Sequence, residues 1–410
     1  MEILKGNAVV GQSGGPTAAI NATLSGVIRG AIWAKKEGYI DKLYGMRNGI
    51  EGFLEERTVD LTDIFKSEAD LKALEATPAA ALGSCRKKMK SPDTDPETYE
   101  RLLEIFKKYN IRYFFYIGGN DSMDTVSKLS AYAAKHNYRI RVVGVPKTVD
   151  NDLTATDHTP GFGSAAKYVA TTVKELMRDV SVYTVNAVTI VEIMGRDAGW
   201  LTASAALPRL SGGKCPDLIY LPERVFDKTS FISSLKEKLQ DHPAVLVAVS
   251  EGIRYADGTY VGASGSSVDA FGHVQLSGAG KVLEWLVRDE IGCKVRSIEL
   301  NLPQRCAAHL LSKTDIDESV AVGTEAVKRA VEGKTGIMMT ILREQGDEYR
   351  STVGYAEIFK IANAVRHVPD EYINEASDGI TDAGLEYLAP LILGEVDIEF
   401  ECGLPKHIII

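Results

Sequence analysis

The chain has 410 residues, 45% of them hydrophobic and 25% charged, with a formal net charge of -9 at pH 7. That balance suits a soluble globular enzyme with one large or two mid-sized cores, and it excludes general nucleic-acid binding because no basic excess exists to replace counterions. Five scattered cysteines without a CxxC, and seven histidines without an HExxH, exclude a disulfide framework and a structural zinc site.

No run approaches the roughly 18 apolar residues of a membrane span. The opening stretch MEILKGNAVVGQSGG is too weakly apolar for a signal peptide. A reducing cytoplasm is the expected address, with neither membrane nor nucleic acid as a partner. An anionic substrate would need a local cluster of Arg and Lys to work against the global field.

In chain order, a buried strand is expected over residues 7–11, followed by Gly11-Gln-Ser-Gly-Gly-Pro-Thr17 and a helix over 17–36. Glycines at a strand end let backbone N–H groups approach phosphate oxygens, and the following helix start adds positive potential. The motif is neither a Walker A loop nor a GxGxxG fingerprint. Gly83-Ser-Cys-Arg86-Lys87-Lys88 then sets three cations after a small-residue turn, either a solvated tip or a phosphate clamp. A helix over 96–109 and a strand over 112–117 lead to Gly118-Gly119-Asn120-Asp121-Ser122, which opens a helix over 123–135. Its hard oxygens beside a phosphate cradle suit Mg²⁺, while helix capping by Asp121 or Ser122 is the structural alternative.

A strand over 141–145 runs into Pro146-Lys147-Thr148-Val149-Asp150-Asn151-Asp152. One ammonium and two carboxylates at a strand end offer what phosphoryl transfer to an alcohol needs, charge neutralisation and an acceptor for the hydroxyl proton. An Asx-turn explains one aspartate but not Lys147. Gly161-Phe-Gly163 reads as an ordinary helix start, with a helix over 163–180. A strand over 188–193 carries Met194-Gly195-Arg196-Asp197-Ala198-Gly199, and a strand over 245–249 carries Ser250-Glu251-Gly252. Helices over 228–240 and 279–291 and a last buried strand over 294–300 complete the pattern.

Strands alternating with helices imply parallel sheets covered on both faces, and the number of units predicts an α/β chain with two Rossmann-like domains and the site in the cleft between them. The crossings are expected near residues 147–157 and Pro303. One domain would take about 1–150 plus about 303–360, the other about 151–302 plus about 361–410.

GQSGGPTAAIN, GSCRKK, GGNDS, PKTVDND, MGRDAGW, SEG, Gln304-Arg305 and the C-terminal ANAVRHVPDEYI follow one another as in the phosphofructokinases, which the sequence resembles over nearly its whole length. The resemblance implies a donor domain and a sugar-phosphate domain, fructose 6-phosphate as acceptor, Mg²⁺ as cofactor, and a homodimer or homotetramer. It implies that Asp150 accepts the proton of the sugar 1-hydroxyl, with Thr148 beside it, and that Gly15, Arg86, Lys87 and Gly119 contact the donor. Asn120 stands where the family commonly has a metal-binding aspartate. Met194, Gly195, Arg196, Glu251, Arg296 and Arg305 match sugar-phosphate contacts.

Asp121 replaces the glycine, and Lys147 the small residue, of ATP-dependent members; both imply that inorganic pyrophosphate is the donor. A carboxylate at the nucleotide's α-phosphate position repels ATP, and Lys147 supplies charge to the departing phosphate. Leu302 stands where a hydrogen-bonding His or Tyr is usual, and Ala187 where ATP-dependent enzymes lend an arginine to a neighbouring subunit. Sedoheptulose 7-phosphate is therefore an alternative acceptor. An ATP-dependent kinase of the same fold, a lipid or NAD kinase, and a non-catalytic sugar-phosphate-binding paralogue are the rival readings.

Overall fold

The computed structural model describes residues 3–262, 278–361 and 364–410; Ala362 and Asn363, which open the C-terminal family segment, lie outside the described residues. Its strands, in chain order, are β1 (Gly6–Gln12), β2 (Ile40–Met46), β3 (Thr58–Asp60), β4 (Ile111–Gly118), β5 (Arg141–Pro146), β6 (Ala187–Ile193), β7 (Leu218–Tyr220), β8 (Ala244–Ser250), β9 (Lys294–Glu299), β10 (Ile337–Arg343) and β11 (Ser351–Glu357). They build a seven-stranded sheet, β11-β10-β5-β4-β1-β2-β3, and a four-stranded sheet, β7-β8-β6-β9, and two further short strands, β12 (Phe400–Glu401) and β13 (Leu404–Pro405), pair with each other near the C-terminus.

Period-two alternation sends neighbouring residues of one strand into opposite layers. On β1, Ala8 and Val10 join one core while Val9 joins another. On β6, Val191 and Ile193 face one layer and Val188 and Ile190 the other. Both sheets are thus covered on two faces, as the alternating pattern requires.

Three expectations need correction. The larger sheet is not wholly parallel, because β3 and β11 are antiparallel edge strands. The strand at 294–300 is not buried: β9 is the edge of the smaller sheet, and Lys294, Arg296 and Glu299 are exposed. A nineteen-residue helix, Lys313–Val331, went unrecognised. It lies against the helix Ile20–Lys36 through glycines, where a Cβ on Gly26 would come 2.2 Å from Val320 O and one on Gly323 2.2 Å from Thr23 O. Backbone approach of this kind replaces large apolar side chains with none, which blunts the helical hydrophobic period.

Val368, Ile373, Leu385 and Leu391 join the core of the smaller sheet, whereas Ile408 and Ile410 return to the larger one. Among the described residues no helix is long and apolar enough to cross a membrane. Register aligns the strand ends that matter: Gln12 pairs with Ile117, Gly118 with Pro146, and Ile193 with Ser250. Within each sheet the loops that follow therefore leave at one level.

Candidate functional site

Those loops converge on a cavity of about 600 Å³. It brings together Gly15, Arg86, Lys87, Gly119, Asn120, Asp121, Lys147, Thr148, Asp150, Met194, Arg196, Glu251 and Arg305. Gly195 stands beside it, its N–H donating to Glu251 Oε1 at 3.2 Å. Arg296 is not there. It lies on the exposed edge strand and lines a separate groove with Tyr183, Val185, Ala187 and Lys294. Leu302 is 51% exposed and does not line the cavity.

The donor side is built of backbone. Gly14 N–H donates to Cys85 O at 3.0 Å and Ser84 Oγ donates to Gly14 O at 2.6 Å, so the first glycine loop is tied to the Arg86 loop. A Cβ on Gly15 would come 3.2 Å from an Arg305 guanidinium nitrogen, so glycine leaves that arginine room at the cavity. The helix Asn120–Lys135 starts after Gly119 with no side-chain cap, which disposes of the capping alternative for Asp121 and Ser122. Asp121 instead faces Lys88, with Nζ 3.1 Å from Oδ1.

Lys147 is 3% exposed, and its Nζ donates to Gly15 O at 2.5 Å. Burial lowers its pKa to about 8, although Asp150 and Asp152 pull the other way. Burial likewise raises Asp150 and Asp152 above the usual carboxylate range, and Asp150 raises Asp152 further. Thr148 Oγ1 accepts the Asp150 N–H at 3.1 Å, which holds the turn by the threonine and not by an Asx-turn. Glu251 is pushed by burial to about 7. Arg196 is held by Asp197 at 3.0 Å, and Asp197 also meets Arg254 at 2.6 Å.

A divalent cation fits one corner. Among the described residues Asn120 Oδ1 is buried and finds no hydrogen-bond partner, while Asn120 Nδ2 faces Asp152 Oδ2 at 3.4 Å. A buried amide oxygen left without a partner is a hard ligand of the kind Mg²⁺ accepts while keeping most of its waters. Among the described residues no group of three His, Cys, Asp or Glu is placed to hold a metal alone. Any ion here shares its coordination with substrate oxygens and water.

Residues not carried forward as site residues also line the cavity, among them Ser13, Lys88, Asp152, Asp197 and Val365. All five belong to motifs already in view, Val365 to the C-terminal segment ANAVRHVPDEYI, but none was given a role of its own beyond the motif. The arrangement sets Arg86, Lys87 and Arg305 beside the glycine loops, with Arg305 against Gly15, and Arg196 with Glu251 on loops of the smaller sheet. Between them a single loop carries a buried ammonium and two carboxylates. Such a site can pass a phosphoryl group between oxygens held at either end.

Residues 7–328 match the family model Phosphofructokinase. Pyrophosphate--fructose 6-phosphate 1-phosphotransferase from Halomonas elongata is 42% identical over 402 residues, covering 98% of this chain and 95% of the relative. Its counterpart from Xanthomonas campestris is 42% identical over 406 residues, covering 98% and 96%. The crystal structure of pyrophosphate-dependent phosphofructokinase from Nitrosospira multiformis superposes with a TM-score of 0.88 at 39% identity, covering 98% of this chain and 95% of that one.

Proposed function

The chain belongs to the phosphofructokinase family, and from that membership we infer the work of its cavity. The protein transfers a phosphoryl group from inorganic pyrophosphate to the 1-hydroxyl of fructose 6-phosphate, giving fructose 1,6-bisphosphate and phosphate. The anhydride broken and the ester formed differ little in free energy, so the reaction runs in both directions.

Pyrophosphate binds against the glycine loops at Gly15 and Gly119, with Arg86 and Lys87 neutralising it. Fructose 6-phosphate binds against Met194, Gly195, Arg196, Glu251 and Arg305. Asp150 takes the 1-hydroxyl proton as that oxygen attacks the nearer phosphorus, and its raised pKa makes it a stronger base than an exposed carboxylate. Thr148 fixes the Asp150 backbone. Lys147, aimed at Gly15 O, meets the charge on the departing phosphate. Asn120, with Asp152 beside it, would hold Mg²⁺, which when bound neutralises pyrophosphate oxygens.

The division of labour follows the sheets. The donor residues hang from the seven-stranded sheet, which supports a donor domain of about 1–150 plus about 303–360. Met194, Arg196 and Glu251 follow β6 and β8, which supports a sugar-phosphate domain of about 151–302 plus about 361–410. Arg296, on the open edge of the smaller sheet, can serve as a sugar-phosphate contact only in a neighbouring copy, which favours a homodimer or homotetramer. The acidic composition and lack of a disulfide pattern support a cytoplasmic setting.

The observation that carries the donor assignment is the pair of side chains on the donor side: Asp121, held in place by Lys88, and the buried Lys147. A coupled assay with fructose 6-phosphate and either pyrophosphate or ATP tests it. Turnover with pyrophosphate at least a hundredfold above that with ATP is expected; equal rates would overturn the assignment.

A further inference from the structure

A buried charged cluster behind the reaction loop has no part in the chemistry above. After Asp152 the chain returns through residues 156–160 and closes on its own start. Thr148 N–H donates to Pro160 O at 3.2 Å, Thr159 Oγ1 donates to Thr148 O at 2.9 Å, and Thr159 N–H donates to Asn151 Oδ1 at 3.0 Å. His158, in the return arm, is 1% exposed and has a carboxylate at each ring nitrogen: Nδ1 lies 2.8 Å from Asp157 Oδ2, and Nε2 lies 2.6 Å from Glu318 Oε2. Acceptors on both sides require an N–H on each nitrogen, so the ring is the imidazolium. Burial works against that charge, but Asp157 and Glu318 outweigh it and raise the pKa to about 9.

The carboxylates are themselves fixed. Tyr349 and Ser351 both donate to Glu318 Oε1 at 2.6 Å, and Arg343 meets Asp157 at 3.1 Å. The Tyr387 hydroxyl donates to Asp157 O at 2.7 Å and accepts from Asn151 Nδ2 at 3.1 Å. Asn151 stands between the two reaction carboxylates in the left-handed region, with φ 54°. One cation therefore ties the return arm to the helix Lys313–Val331, and the arm in turn holds the Asn151 amide directly at Oδ1 through Thr159 and at Nδ2 by way of Tyr387, which is itself bonded to Asp157 O.

We infer that His158 is a positioning residue for the phosphoryl transfer: clamped between Asp157 and Glu318, it holds the return arm that orients Asp150 and Asp152 through Asn151. This rests on the reading of Asp150 as the proton acceptor. Buried ion pairs are weak evidence of stability and better evidence of a specified geometry, which is the use proposed here.

The test compares His158→Gln, Glu318→Gln and the double variant with wild type and with Asp150→Ala, measuring Tm, active-site concentration by burst titration, kcat, and KM for both substrates. Expected are a kcat per active site lowered about tenfold to hundredfold, KM values within about twofold, and a double variant no worse than His158→Gln, since the two act as one unit. Glu318→Gln keeps the shape and an acceptor oxygen, so it reports even where His158→Gln does not fold. Normal kcat per active site in folded Glu318→Gln, with Asp150→Ala inactive, overturns the inference and leaves the base assignment standing. Asp150→Ala activity within tenfold of wild type would instead remove the base assignment, and this inference with it.

Discussion

Lys88 Nζ lies 3.1 Å from Asp121 Oδ1 at the donor end of the cavity. Both side chains are part-exposed, so the pair adds at most about 1 kcal/mol of stability. Its consequence is positional, because it holds a carboxylate at the donor end, which on the proposed reading keeps a nucleotide out. Asp121→Gly removes both the volume and the repulsion. The ratio of kcat/KM for ATP to that for pyrophosphate should rise at least tenfold in steady-state assays, whereas Lys88→Ala leaves the carboxylate uncompensated and should lower it. An unchanged ratio in both variants would detach donor choice from this pair.

Asp150 is destabilised as a carboxylate by its own burial, since its folded pKa is raised above the unfolded value. A raised carboxylate pKa means that the folded state binds the proton more tightly, so stability falls as pH climbs through that range. Asp150→Asn keeps the shape and removes the charge. It is expected to lower kcat by about 10² to 10⁴ fold, the usual worth of a general base, while Tm at neutral pH stays level or rises. A variant that loses both activity and Tm would mark Asp150 as structural.

Lys147 carries its proton below about pH 8. The cation is the form that meets the departing phosphate, so in the free enzyme kcat/KM for pyrophosphate should decline above that pH, opposite the acid limb on which Asp150 takes up its proton. The ceiling is about tenfold per pH unit. Lys147→Arg should move the decline out of the measurable range, because guanidinium does not deprotonate in proteins. A wild-type profile level to pH 9.5 or so would exclude this role for the ammonium.

Much of the site was legible because its parts are local. Glycines at the ends of β1 and β4, and an ammonium with two carboxylates at the end of β5, carry their chemistry within a few residues. Arg296 was not legible in the same way: its residue type suits phosphate, but which side of β9 it faces, and that β9 is an edge, are set by strand order and not by sequence spacing. Glu318 was hidden for a related reason. Its helix packs through Gly26 and Gly323, so the hydrophobic period that would have revealed it is weak, and its partner His158 is 160 residues distant. The Lys88–Asp121 pair likewise joins two loops whose proximity follows from the register of β1 and β4.

The groove at Arg296 gives the sharpest test of the assembly. Ala187 and Lys294 are register partners, as are Thr189 and Arg296, and all four line this groove on the open edge of the smaller sheet. Arg296→Ala should therefore raise the KM for fructose 6-phosphate although the residue lines no part of its own chain's cavity. Mixing then separates the two possibilities. In a hybrid of an Arg296→Ala chain with an Asp150→Ala chain, service across an interface leaves one site with both residues intact and the other with neither. Random pairing of equal amounts makes half the dimers hybrids with one working site each, so about a quarter of wild-type activity should return at limiting fructose 6-phosphate. If Arg296 acted within its own chain, every site in the hybrid would lack one residue and mixing would restore nothing. Activity that stays at the average of the two separate variants would thus withdraw Arg296 from the neighbouring site, and a monomer in sedimentation would do so independently.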